Sequence, residues 1–197
     1  MPGSQPPSKR SLRSQPVPGG GKLRVVGAIA AAIVLLDAIT KLLATHFLAG
    51  SHRVELLGGA VQMELYRNFA GPNNILPGHA TLISIFAIVA VMALVAVATR
   101  IRTTTAAIVL GLMLGGAIGN LLDRLLREPG PLRGGVIDWF KLTDHTNWMN
   151  IADLAINGAI VALLVGVVVS WWRERQESID HPPREDGAGS GPSEPAT

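Results

Sequence analysis

Ile83-Ser84-Ile85-Phe86-Ala87-Ile88-Val89-Ala90-Val91-Met92-Ala93-Leu94-Val95-Ala96-Val97-Ala98 contains no polar residue after Ser84. A helix resting on a water-soluble core keeps a polar stripe at a period of 3.6 residues, and this stretch has none. Residues 160–169 are likewise without a polar side chain. Four apolar stretches of this kind run at about 25–47, 79–99, 105–126 and 151–172. Each is close to the ~20 residues that a helix needs to cross a ~30 Å hydrocarbon core. The pattern therefore predicts an all-α membrane protein with four transmembrane helices rather than a soluble four-helix bundle. The first stretch is too long for a signal-peptide apolar region, contains Asp37 and Lys41, and has no clear cleavage site after it, so it reads as a retained span.

Composition agrees. Of 197 residues, 48% are apolar and only 16% charged, against about a quarter in soluble domains. The net charge is +3. Its basic residues sit beside the apolar runs and do not alternate with aromatics, so no nucleic-acid partner is expected. The chain has no cysteine, which excludes a disulfide framework, a thiolate zinc site and a cysteine nucleophile. The histidines, at 46, 52, 79, 145 and 181, form no ligand pair at helical spacing, so neither a metal site nor another cofactor is expected. No Gly-x-Ser-x-Gly or Walker pattern is present.

Residues 1–22 and 175–197 are rich in Pro, Ser and Gly and are expected to be disordered tails, the first of them basic. Residues 23–174 form the expected four-span domain. With an inside N-terminus, the inner segments hold Lys9, Arg10, Arg13, Lys22, Arg24, Arg100, Arg102, Arg173, Arg175 and Arg184. The outer segments hold Arg53, Arg67, Arg127, Arg133 and Lys141. This asymmetry puts both termini in the cytoplasm, and Trp171 and Trp172 at the inner interface. On the outer side, Arg53-Val54-Glu55-Leu56 and Val61-Gln62-Met63-Glu64-Leu65-Tyr66 alternate polar and apolar residues around Gly58-Gly59. They predict a β-hairpin with one apolar face, resting on the bilayer surface or on the bundle. The second outer segment, 127–150, carries Trp139, Phe140 and Trp148, which suit a headgroup layer.

Four carboxylates fall near one membrane depth on this topology: Asp37, Asp123, Asp138 and Asp153. An ionisable group in or beside a span is expensive, so it marks function unless a partner accounts for it. Lys41 lies one turn after Asp37, and this i,i+4 pair gives both a scaffolding role. Asp123 has Arg124 and Arg127 nearby and reads as ion-paired. Asp138 and Asp153 are less neutralised. If they meet, they share one proton and act together as general base and general acid, which is aspartic-peptidase chemistry. The residues also allow a plain alternative, a solvated loop position for Asp138 and a helix cap at Asp153 or Asn150. Gly115 and Gly119 give a small-xxx-small face for close helix packing that would help seat Asn120 and Asp123. A transporter or proton relay would place acids near the midplane and interrupt its helices, whereas spans two and four run unbroken.

Four blocks resemble the lipoprotein signal peptidases, also called signal peptidase II. They are Asp37-Ala38-Ile39-Thr40-Lys41, the run from Gly115 to Arg124, Gly135-Val136-Ile137-Asp138-Trp139-Phe140, and Asn150-Ile151-Ala152-Asp153. They stand in the family's order over residues 25–172. The resemblance implies a catalytic dyad of Asp138 and Asp153. It implies that Asn68, Asn120, Arg124 and Asn150 hold substrate or orient the dyad, and that Asp37, Lys41 and Asp123 support the structure. It also implies prolipoprotein substrates with a lipid-modified Cys, and that the outer hairpin is a small β-cradle on the membrane. A monomer in contact with membrane lipids, in the bacterial inner membrane with its site at the outer face, is expected. Two departures stand out. The family's Asn-Thr-Gly-Ala-Ala-Phe is Asn68-Phe69-Ala70-Gly71-Pro72-Asn73 here, and the Gln after the first-span Asp is Ala38. A non-catalytic lipid- or precursor-binding homologue is the alternative that the altered segment raises.

Overall fold

The architecture comes from a computed structural model that describes residues 20–50, 52–71, 75–143 and 146–180. The apolar stretches become helices α1 (Gly20–Phe47), α2 (Ala80–Ala98), α3 (Thr104–Leu126) and α4 (Ile151–Asp180). All four are long and apolar enough to cross a membrane. The protein is a multi-pass membrane protein of four spans. Most of the expected tails, residues 1–19 and 181–197, lies outside the described residues; Gly20–Lys22 and residues 175–180 are helical.

The chain divides into two units, residues 1–159 and 160–197. In the first, α3 is the central helix, with the most buried residues of the four. Thr103 starts it, its side chain accepting a hydrogen bond from Ala106 N at 3.2 Å. Glycine lets the helices approach. A Cβ on Gly111 would lie 2.8 Å from Ile29 Cβ, and one on Gly115 would lie 2.8 Å from Ala30 O, both on α1. A Cβ on Gly116 would lie 2.5 Å from Ala152 O on α4. An apolar core gathers Val26, Ala30, Ala98, Ala107, Leu110 and Leu114 from α1, α2 and α3. Elsewhere the large side chains of α2, such as Phe86, Val89 and Met92, face outward, as lipid-facing residues do. In the second unit, residues 160–180 continue as helix, residues 160–169 are exposed, and the Arg175 guanidinium stands 4.7 Å over the Trp171 ring.

The outer side carries a three-stranded antiparallel sheet in the order β1 (Val54–Leu56), β2 (Val61–Asn68), β3 (Val136–Leu142). The expected hairpin is β1 and β2, joined by a short turn with Leu57, Gly58 and Gly59 at positive φ. The third strand corrects the expectation of an aromatic surface segment over 127–150. Val136-Ile137-Asp138-Trp139-Phe140 lacks polar alternation because both faces are covered, and Phe140 is buried rather than set in a headgroup layer. In register, Tyr66 pairs with Asp138 and Asn68 with Val136, with an irregularity between Met63 and Tyr66. Ser84, the one polar side chain in the α2 stretch quoted above, is fully buried and reaches Leu132 O at 2.8 Å, fastening the loop that leads into β3.

Candidate active site

The chain bends back after β3, and that return builds the site. Trp139 N and Phe140 N donate to Met149 O at 2.9 and 3.2 Å, and Met149 N donates to Phe140 O at 2.8 Å. These bonds set Asn150 beside Asp138. Asn150 then opens α4 as a reciprocal cap. Its Oδ1 accepts from Asp153 N at 2.9 Å, and Asp153 Oδ2 accepts from Asn150 N at 3.2 Å. A second cap comes from α1, where Asp37 Oδ1 accepts from Ala152 N at 3.0 Å. The capping role considered for Asp153 and Asn150 is therefore present, and it coexists with a place beside Asp138.

Three asparagines turn their amide nitrogens onto the two acids. Asn68 Oδ1 accepts from Ala70 N and Gly71 N at 3.1 and 3.0 Å, which aims Nδ2 at Asp138 Oδ2 at 3.1 Å. Asn150 Oδ1 is held by Asp153 N, so Nδ2 faces Asp138 Oδ1 at 2.7 Å and shares itself with Asn120 Oδ1 and Ile137 O. Asn120 Oδ1 accepts from Lys41 Nζ at 3.2 Å, and its Nδ2 donates to Asp153 Oδ1 at 2.8 Å. Each of the four carboxylate oxygens thus has one fixed donor. A carboxylic proton on either acid then points to the other acid, to water or to a substrate.

A charged layer supports this network. Lys41 Nζ pairs with Asp37 Oδ2 at 2.6 Å and Asp123 Oδ2 at 2.9 Å. Asp123 Oδ1 takes the Arg127 Nε, and Asp123 Oδ2 also accepts from Ile137 N at 3.1 Å, which anchors β3 one residue before Asp138. The sequence reading paired Asp123 with its neighbours Arg124 or Arg127; the structure adds Lys41 from another span, a partner that spacing could not reveal. Arg124 is buried, within electrostatic range of Asp138, Asp123 and Asp153, and its Nη1 has no hydrogen-bond partner among the described residues. Within the network, Lys41, Arg124 and Arg127 balance three negative charges when Asp138 and Asp153 carry one between them.

Electrostatics point the same way. Burial, and after it the charge of Asp153, pushes the Asp138 carboxyl up to about 7, against the pull of the Asn68 and Asn150 hydrogen bonds and of Lys41. Asp138 is closed off at 1% exposure, whereas Asp153, Asn120 and Asn68 are half-buried and form the open side.

The family model described as signal peptidase (SPase) II matches residues 29–169. The chain belongs to the signal peptidase II family. The lipoprotein signal peptidase of Mycolicibacterium smegmatis is 34% identical over 146 residues, covering 73% of this chain and 60% of that protein. That of Mycobacterium leprae is 33% identical over 149 residues, covering 76% and 72%. That of Leifsonia xyli is 34% identical over 161 residues, covering 80% and 74%. Two solved structures described as bacterial membrane enzymes share the fold. Their TM-scores are 0.66 and 0.63 at 20% and 22% identity, covering 83% and 73% of this chain and 95% and 92% of theirs. Nothing in these likenesses supports the alternative of a non-catalytic homologue.

Among the site residues that the sequence suggested, the family member brings Asn68, Asn120, Asp138, Asn150 and Asp153 into one hydrogen-bond network, with Asp37, Lys41 and Asp123 directly behind it. Ser84 and the Met149–Phe140 bridge escaped the sequence reading. A lone serine in an otherwise apolar stretch was the available signal for the first; nothing in spacing announced the second.

Proposed function

We propose that this signal peptidase II family member is an aspartic endopeptidase that removes signal peptides from prolipoproteins whose Cys carries a diacylglyceryl group, with Asp138 and Asp153 as its catalytic dyad. The observation that carries the reading is the link through Asn150. One side chain donates to Asp138 and accepts from the backbone of Asp153, inside a charge layer that balances with one proton on the pair.

The chemistry follows from that proton. The ionised member takes a proton from a water molecule as its oxygen attacks the scissile carbonyl carbon. The protonated member gives its proton to the carbonyl oxygen, forming a gem-diol. The first then returns its proton to the leaving amine as the C–N bond breaks, and the second regains one from a diol hydroxyl. Asn68, Asn120 and Asn150 hold the acids while these charges move. The buried Arg124 guanidinium, within electrostatic range of both acids, stabilises the negative charge that passes between them.

The charge asymmetry of the flanking segments supports cytoplasmic termini and a site at the outer face of the bacterial membrane. The substrate helix arrives sideways through lipid and meets water there. The protein works as a monomer among membrane lipids, without a nucleic-acid partner. The test is cleavage of a diacylglyceryl-modified precursor by the purified full-length chain in lipid nanodiscs. Asp138→Asn and Asp153→Asn should each lower kcat by about 10³-fold or more while the protein still inserts. A native rate in either variant would exclude that residue from the dyad.

A further inference from the structure

We propose that Lys41 is a positioning residue for the reaction: acting through Asn120, it keeps the negative charge of the acid pair on Asp153 and leaves the shared proton on Asp138. The inference rests on the aspartic-peptidase reading above and divides the two roles between its acids.

Lys41 is 1% exposed, and its ammonium meets Asp37 Oδ2 at 2.6 Å, Asp123 Oδ2 at 2.9 Å and Asn120 Oδ1 at 3.2 Å. An ammonium has three N–H donors, so the group is saturated without touching either reacting acid. Two of its bonds are ion pairs; the third goes to a neutral amide. That bond removes a freedom from Asn120. Asn150 Nδ2 also reaches this oxygen at 3.1 Å, but it divides itself with Asp138 Oδ1 and Ile137 O, so without the cation the amide is held loosely enough to turn over and offer its oxygen to Asp153, an arrangement that suits a protonated acid. With Lys41 in place the oxygen is held, and the NH₂ group faces Asp153 Oδ1 at 2.8 Å, which suits a carboxylate.

The other contacts of Asp153 act in the same sense. Its Oδ2 accepts from Asn150 N, and Asp153 lies in the first turn of α4, where the helix dipole favours an anion. Asp138 sits on strand β3, and its carboxylate accepts from side-chain amides. Its donors are the Asn68 and Asn150 amides, whose oxygens are held by backbone N–H groups and by no cation. Asp138 is also closed to solvent, whereas Asp153 is half-buried. The charge therefore rests on the acid that water can reach. Asp153 takes the proton from the attacking water, and Asp138 hands its proton to the carbonyl oxygen. The charged groups facing the pair are Lys41 and Asp37 from α1 and Asp123 and Arg124 from α3, with Arg127 bound to Asp123.

The test is the pH dependence of kcat and KM for the full-length chain in nanodiscs, with a diacylglyceryl-modified precursor. The variant Lys41→Met/Asp37→Asn removes an ion pair as a unit, and Asn at 37 keeps an oxygen for Ala152 N. It should insert, leave KM near native, lower kcat by about tenfold and move the acidic limb of the profile up by about 0.5–1 pH unit. Ser84→Ala, which loosens the loop before β3 without touching the charged network, should lower the melting temperature and leave that limb in place. A folded double variant with a native limb and native kcat would overturn the proposal, as would an equal shift in Ser84→Ala. If the double variant does not insert, Asn120→Ala replaces it, since it removes the relay and keeps the ion pairs. The same shift is expected, and a native profile would again overturn the proposal. A native chain that cleaves nothing would instead remove the peptidase reading and this inference with it, a result distinct from an active enzyme with an unmoved limb.

Discussion

Removing the Asn68 amide should push the alkaline limit of catalysis upward. Asn68 holds a turn through Oδ1, on Ala70 N and Gly71 N, and reaches Asp138 Oδ2 through Nδ2 at 3.1 Å. Burial raises the Asp138 carboxyl to about 7, and the hydrogen bond from Asn68 is one of the contacts that keep it from rising further. A hydrogen bond to a charged group contributes about 1.5–3 kcal/mol. At 1.36 kcal/mol per pH unit, the full loss corresponds to about 1–2 units. Water entering the vacated space recovers part of this, so Asn68→Ala should move the limb by about one unit. The sign follows from which form the bond favours. Asn68 stabilises ionised Asp138, so without it the proton stays to higher pH, and kcat/KM falls near pH ~8 instead of ~7. Asn68→Asp separates this from damage to the turn. It keeps acceptor oxygens for Ala70 and Gly71, loses the donor and adds a negative charge, so its limb should move at least as far. The assay is kcat/KM for a lipid-modified precursor from pH 5 to 10, with thermal melting as the check on folding. A folded Asn68→Ala enzyme whose alkaline limb stays put or moves down would refute the role given to Asn68 and weaken the placement of the proton on Asp138.

Two further perturbations probe the frame around the acids. Gly116→Ala puts a Cβ 2.5 Å from Ala152 O and 2.7 Å from Ile156 Cγ1, so α3 and α4 must part; it should cost about 1–3 kcal/mol in thermal melting and lower activity, whereas Gly27→Ala, with open space around it, should melt near native. Ser84→Ala removes the hydroxyl between Ala80 O and Leu132 O and should cost about 1–2 kcal/mol. Faster trypsin cleavage at Arg127 or Arg133 would report the loosened loop, and an unchanged digestion pattern would show that Ser84 does not hold it.

The chain's residues, taken in order, settle the solvent and the periodicity. Stretches such as 83–98 offer no polar face, so their backbones must satisfy themselves as helices in lipid, and that conclusion needs no tertiary information. The local pairs, Asp37 with Lys41 and Asp123 with Arg127, are legible there too, because four residues along a helix return to the same face. The capping potential of Asn150 and Asp153 was legible for the same reason. That β3 is a strand emerges only from packing, since a stretch covered on both faces loses the alternation that marks strands. Packing alone joins Lys41 to Asn120 across 79 residues, Asn68 to Asp138 across 70 and Ala152 to Asp37 across 115. Those contacts depend on glycine-mediated helix approach and on the Met149–Phe140 bridge, and neither leaves a periodic trace in the chain. Local spacing fixes what a residue can do; which acid faces which amide is fixed by the packing of separate elements.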